Sequence, residues 1–443
     1  MNIIKKVPPK VRKHLSADAL FSTVHGSFGK IVDHRTNPTI SLADSLMSAF
    51  AVFSLKDPSL LAFDERRQSG DPNLHSIYKI GSVPCDSRMR EVVDKVDPND
   101  LGGIFKNIFN QLQKGKALEP FEYMDGCYLL SLDGTGYFSS GNIKSGACMM
   151  KTNKKTGKVT YYQQMLGGSI VHPDFKEVIP LNPEMIIKQD GETKNDCERN
   201  AAKRFFEKLR QDHPRLPLII IEDGLSSNAP HIKDLNRHNL NFILGAKPGD
   251  HKFLFSYVAS AHEDGNVTEI RCADLKDPKI THFFRFINNV PLNASNQDTL
   301  INFLEYQEIS PKKTSTFSWV TNFTITSENV FKIMRGGRAR WKIENETFNT
   351  LKNQGYHLEH NYGLGKKHLS ENFGRLTMLA FLVDQVQQLC CALFFAIWKK
   401  HKSKRSLWEK IRFLFHAFLF NSMEDLYRAL LIGIKRKPVE LID

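Results

Sequence analysis

Apolar positions recur at helical spacing through residues 16–112, where Leu42, Leu46, Ala49, Phe50 and Phe53 keep a 3.6-residue period. Ser16 and Ser41 stand where helix caps are expected. Leu74, Ile77 and Tyr78 predict a short helix, Gly81 a turn, and Pro84 the start of a second helix carrying Met89, Val92 and Val93. That is helix-turn-helix spacing, and it sets Asp86, Ser87, Arg88 and Arg90 where a recognition helix would meet DNA. A plain helical bundle explains the same pattern equally well.

From residue 120 the pattern turns to α/β. Tyr128–Asp133 is a short apolar run ending in an acid, and Lys158–Val171 predicts a strand with a turn at Gly167-Gly168. Cys197, Ala201, Phe205 and Leu209 form one stripe of a helix over 194–212. Pro217–Asp223 reads as a fully buried strand because its apolar run does not alternate. A helix near 232–238 and a strand over 240–246 follow. Residues 250–316 show no helical period and hold a hairpin-type Asp264-Gly265, so a β-rich insertion is expected. Residues 316–326 predict one more strand, and a helix broken at Gly336-Gly337 resumes over 338–353. Residues 369–436 read as long helices.

Composition bounds the function. The chain has 443 residues, 61 Lys plus Arg against 48 Asp plus Glu, a net charge of +13, and it is 41% hydrophobic. This is a folded protein of several domains whose basic surplus suits a polyanion, most simply nucleic acid. Its seven Cys are odd in number with no C-x-x-C pair, which argues against a disulfide framework or zinc knuckle and for a reducing compartment. The apolar stretch 376–398 is interrupted by Asp384, Gln385, Gln387 and Gln388, so it reads as a buried or oligomer-forming helix rather than a membrane span. The charge collects in a basic arm (Lys5, Lys6, Lys10, Arg12, Lys13), around 335–352, and near 399–412.

Phosphate loops, nucleophile elbows and H-E-x-x-H motifs are absent from the sequence. The carboxylates are more informative. Asp133 and Asp223 each end an apolar strand candidate and each precedes Gly. Asp caps turns in that setting. Two acids on neighbouring strand ends also repel unless a cation sits between them. Mg²⁺ takes hard oxygen ligands, and two such ions can drive phosphoryl transfer. On the helix over 338–353, Arg340, Glu344, Phe348 and Lys352 follow i, i+4 steps, which would bring Glu344 to the two Asp and set Arg338, Arg340 and Lys352 to hold phosphates. An amphipathic surface helix is the plain alternative. Trp341 would stack on a displaced base or pack in the core. Competing acids fit less well. Asp125 lies outside the apolar run, Glu222 should face away from Asp223, Glu346 is about 200° round the helix from Glu344, and Glu359 follows the helix stop. His357 and His360 lack a third ligand and suggest a structural role.

Asp133-Gly-Thr, Glu222-Asp223 and Arg340-Trp-Lys-Ile-Glu344 in this order resemble the Asp–Asp–Glu (DDE) transposases of bacterial insertion sequences, nearest the insertion-sequence-four type. That group carries a β insertion before its Glu and the signature Tyr, two residues, Arg, three residues, Glu, six residues, Lys. Arg340 and Glu344 keep the spacing, Lys352 falls one residue late, and Gly337 stands at the Tyr position. Ser139-Ser140, Lys194–Glu198 and Leu351–His360 extend the resemblance over about residues 70–375.

The resemblance implies a ribonuclease H-like mixed α/β sheet with a β-rich insertion (250–316) before the catalytic Glu helix, flanked by helical regions. The expected organisation is a DNA-binding helical region over 1–115, a catalytic domain over 120–365, and a helical, dimer-forming region over 366–443. The implied activity is Mg²⁺-dependent DNA cleavage and strand transfer at element ends, with two ions held by Asp133, Asp223 and Glu344 and Mn²⁺ able to substitute. The implied DNA contacts are Arg338, Arg340, Lys352, Arg88 and Arg90. The partners would be double-stranded DNA, at the element ends and the target, and a second copy of the chain. The setting would be a prokaryotic cytoplasm, at the nucleoid, with no membrane. A catalytically silent DNA-binding derivative and a ribonuclease H-like nuclease are the alternative readings.

Overall fold

The structure is a computed structural model and describes residues 13–186 and 197–433. Most of the basic N-terminal arm lies outside the described residues, as does the start of the Lys194–Glu198 stretch.

The N-terminal helices are α1 (Ala17–Phe28), α2 (Leu42–Ser54), α3 (Leu60–Gln68), α4 (Asn73–Ser76), α5 (Asp86–Val93) and α6 (Gly102–Lys114). Ser16 and Ser41 cap α1 and α2, their hydroxyls accepting from Ala19 N (3.4 Å) and Asp44 N (2.9 Å). α4 and α5 occupy the predicted helix pair, with Cys85 rather than Pro84 at the N-cap of α5.

The sheet begins with β1 (Glu122–Met124), β2 (Cys127–Ser140), β3 (Met149–Thr152), β4 (Val159–Val171), β5 (Ile179–Pro180) and β6 (Glu184–Ile186). Then come α7 (Glu198–Asp212), β7 (Leu218–Glu222), α8 (Ala229–Arg237) and β8 (Asn241–Gly245). β4 runs antiparallel to β2 and carries β3, β5 and β6 on its far edge; β7 and β8 lie on the other side of β2, all three parallel. An antiparallel start followed by parallel strands entered through helices is the ribonuclease H-like arrangement. The centre is buried, as its unalternating apolar strands require: Ile219, Ile220 and Ile221 are each 0% exposed.

Residues 250–316 contain a helix that the sequence reading missed. α9 (Lys252–Glu263) buries Leu254, Val258 and Ala261, a helical stripe hidden among polar neighbours. Asp264-Gly265 ends this helix instead of closing a hairpin, with Gly265 at φ +72°. The rest is β, as expected: β9 (Thr268–Ala273), β10 (Thr281–Asn293), β11 (Asn296–Ile309) and β12 (Thr314–Thr321). β12 pairs antiparallel with β8 (Val320 opposite Leu244), so the insertion extends the central sheet.

Two glycine pairs turn out to be close-packing sites rather than breaks. β4 runs straight through Gly167-Gly168: a Cβ at Gly167 would lie 2.8 Å from the Phe348 ring, and one at Gly168 2.6 Å from Phe205 on the opposite face. α10 (Val330–Arg338) likewise passes through Gly336-Gly337, where a Cβ on Gly337 would meet the Trp319 indole at 2.4 Å. Gly337, at the signature's Tyr position, therefore lets α10 pass close over the Trp319 indole. The interruption falls later, at 339–340, before a π-helical segment Ile343–Phe348 and the short α11 (Asn349–Asn353).

The C-terminal helices are α12 (Leu369–Cys390), α13 (Ala392–Lys400), α14 (Lys404–Ala417) and α15 (Met423–Ile432). α12 is buried along nearly its whole length and packs on α2. Three of the polar residues within it find internal partners. Asp384 pairs with Lys56 and accepts from Tyr356 Oη (2.5 Å), Gln385 Oε1 accepts from Val178 N (3.0 Å), and Gln387 Oε1 from Tyr427 Oη (2.6 Å). The N- and C-terminal helices thus share one core. Among the described residues no single helix is long and apolar enough to cross a membrane; α12 and α13 pass that test only together, as a pair bent by 97°.

Candidate active site

β2 and β7 run parallel with Ser131 opposite Ile221. Two residues further on, that register sets Asp133 level with Asp223 on the same face of strands about 4.8 Å apart. Glu222 alternates to the other face, where His231 Nε2 sits 2.6 Å from its Oε2. Burial opposes the charge on His231, but the Glu222 carboxylate prevails and raises its pKa. Asp223 begins a single 3₁₀ turn over Gly224–Ser226, its Oδ1 accepting from Leu225 N (2.9 Å). It therefore serves as the turn cap that its sequence context allows and is also level with Asp133.

Glu344 reaches Asp133 through the π-helical segment. Such segments often mark functional positions because the extra residue per turn redirects a side chain. Several contacts press this segment onto the sheet. Ser131 Oγ donates to Arg340 O (3.0 Å), Ser169 Oγ lies 3.2 Å from Thr347 Oγ1, and Phe348 fills the space left by Gly167, the residue opposite Asp133. The Glu344 carboxyl then lies close enough to Asp133 to share a proton.

Arg340 lies between the two acids. Its Nη1 is 2.7 Å from Glu344 Oε1 and 3.4 Å from Asp133 Oδ2. Burial and the Glu344 carboxyl raise the Asp133 pKa from 3.8 to about 7 despite the opposing charge of Arg340. Trp341 is 50% exposed, not core, and the Arg340 guanidinium stands 4.5 Å from its ring centroid. The donor chemistry fits a hard cation: carboxylate oxygens, two of them crowded enough that one holds its proton near neutrality. The arrangement is not closed around an ion, since no group of three or more His, Cys, Asp or Glu among the described residues is close enough to hold one. Arg340 supplies the positive charge between Asp133 and Glu344 instead.

Other predicted residues lie apart from this cluster. Arg338 donates to Glu308 Oε2 (2.9 Å) and lies over Phe317, tied to the insertion strands. Lys352 pairs with Glu359 Oε1 (2.9 Å). Arg88 and Arg90 are solvent-facing on α5, paired with Glu91 (2.7 Å) and Asp86 (3.2 Å). Glu346 opens onto a different cavity, and Asp125 sits in the β1–β2 turn at φ +50°.

One acid escaped the sequence reading as a site residue. Glu198, the first residue of α7, approaches Gly134 so closely that a Cβ there would lie 2.1 Å from Glu198 Oε1. Desolvation raises its pKa, and the charges of Asp223 and Glu222 add to the rise. Its position in Lys194–Glu198 was a signal only through resemblance; nothing in its spacing relates it to Asp133.

No family model and no curated protein matches the chain. Among solved structures, a piggyBac transposase synaptic complex with hairpin DNA is 11% identical, covering 98% of this chain and 84% of that one at a TM-score of 0.40. The NurA nuclease from Sulfolobus solfataricus is also 11% identical, covering 58% of this chain and 95% of that one at a TM-score of 0.24. At such TM-scores neither likeness bears on what this chain does.

Proposed function

We propose that the chain is a divalent-metal-dependent DNA phosphoryl transferase of the DDE transposase kind, with Asp133, Asp223 and Glu344 as metal ligands and Glu198 beside them. The observation that carries the reading is the approach of Glu344, far along the chain, to Asp133 in the middle of the central strand β2, with its charge compensated by a single cation. Acids brought together inside a fold cost stability and suggest a use for a stronger cation. Two Mg²⁺ ions, or Mn²⁺, would supply activation of the attacking oxygen and stabilisation of the leaving oxygen.

The chain's own residues would then act as follows. Arg340, released from the carboxylates, would take a DNA phosphate in its guanidinium fork. Trp341 offers an exposed ring for a displaced base. Water would attack a backbone phosphorus in line, and the 3′ oxygen would leave as a 3′-hydroxyl opposite a 5′-phosphate. That hydroxyl would attack a target phosphorus and displace its 3′ oxygen, so one phosphodiester forms as another breaks. A second copy of the chain would bring the two element ends together.

The catalytically silent reading has one observation in its favour: Arg340 already neutralises the acid pair. Incubation with Mg²⁺ and duplex DNA carrying candidate element ends separates the two readings. The proposal expects nicks ending in 3′-hydroxyls, lost in Glu344→Ala. Equal cleavage by that variant would remove Glu344 from the site, and no cleavage by either protein would favour the silent reading.

A further inference from the structure

On the side of the π-helical segment away from Asp133, a cavity of about 530 Å³ opens between that segment and the α13–α14 corner. Its inner wall includes Gln388, which is 5% exposed and whose side-chain Nε2 has no hydrogen-bond partner. Native proteins rarely leave such a donor unsatisfied. The mouth is formed by the first turn of the 14-residue α14, which carries Lys404 and Arg405. Ser403 Oγ accepts from Ser406 N (3.3 Å), while the N–H groups of Lys404 and Arg405 have no protein acceptor among the described residues. A helix N-terminus with open N–H groups favours an anion.

The charge around the cavity agrees. Lys176, Lys402, Lys404 and Arg405 border it, and among the described residues none of the four is in an ion pair. Lys404 Nζ donates to the carbonyls of Trp398 (2.7 Å) and His401 (3.2 Å), and burial lowers its pKa to about 8. The opposing acids are Glu177 and Glu346, whose charges also act on Lys342, where burial nonetheless lowers the pKa. We propose that this cavity binds a phosphate-bearing group, held by the α14 N-terminus, Lys404 and the Gln388 amide. The source would be a DNA backbone phosphate or a free phosphorylated small molecule. The cavity is separate from the carboxylate cluster and does not depend on it.

The test uses the full chain with inorganic phosphate as probe, followed by thermal unfolding, and a labelled DNA duplex followed by anisotropy. Gln388→Met fills the same space without the amide. It should leave the Tm in phosphate-free buffer unchanged or higher, and abolish most of the phosphate-dependent rise. Lys404→Met should do the same and, where the DNA backbone is the source, reduce the salt slope of duplex binding by about one. Competition between phosphate and duplex would identify the DNA backbone as the source. A phosphate response lost in both variants with duplex binding intact would identify a free ligand; either outcome supports the site. An equal phosphate response in parent and both variants, or none in the parent, would overturn it. Neither readout requires cleavage, so failure here is distinguishable from failure of the carboxylate assignment.

Discussion

Asp133→Asn in metal-free buffer is a quantitative test of the crowded carboxylates. A folded pKa above the unfolded value means that the native state holds the proton more tightly, so unfolding free energy falls as pH rises from about 4 to about 7 and is level beyond. The move from 3.8 to about 7 sets a ceiling of about 4 kcal/mol on that loss. Relaxation of the side chain, 26% exposed, towards solvent makes about 2–3 kcal/mol a realistic expectation. Asn carries no titrating proton and keeps a carbonyl for Arg340. Urea unfolding in EDTA at intervals from pH 4 to pH 8 should therefore show parent and variant converging at the acid end. At pH 8 the variant should be the more stable, by about that amount. Divalent metal should then recover stability in the parent but not in the variant, by about 2.7 kcal/mol at a hundredfold excess over Kd. A stability difference independent of pH, or a variant less stable at pH 8, would refute the crowding argument.

Other substitutions probe the frame. Gly337→Ala drives a methyl into the Trp319 indole and should lower stability by about 1–3 kcal/mol by urea unfolding. Lys56→Met leaves Asp384 buried without its cation and should cost about 3–5 kcal/mol, a sharply lower Tm. Gly134→Ala displaces Glu198 and should cut any metal-dependent cleavage more than tenfold, with a loss of at most about 1.5 kcal/mol in unfolding, since the carboxylate can move outward.

How much the sequence revealed follows from what each element buries. Strands buried on both faces, such as β7, are unbroken apolar runs and were legible, as were helices capped by Ser16 and Ser41. α9 was not, because its buried stripe is only Leu254, Val258 and Ala261, interleaved with polar and half-buried positions. Gly167 and Gly337 were misread as turn and break because their role is to admit Phe348 and Trp319, partners remote in sequence. That Asp133 and Glu344 meet at Arg340 follows the ordered spacing, but Asp133 was expected at a strand end and lies mid-strand, because β2 runs on past Gly134 and Gly136 to Ser140. The partner of Lys352, Glu359, and the π segment before it were not legible, because local sequence announces neither. Glu198 depends on how α7 returns beneath β2, a tertiary fact.

The central claim is that Asp133, Asp223 and Glu344 form one divalent-metal centre from which Arg340 withdraws. Calorimetric titration of the metal-free protein with Mn²⁺ tests it most directly. The account predicts binding weakened at least about tenfold by Asp133→Asn, Asp223→Asn or Glu344→Gln, strengthened by Arg340→Ala, and unchanged by Lys352→Ala. Binding in Glu344→Gln as tight as in the parent, or no binding in any of these proteins, would contradict it.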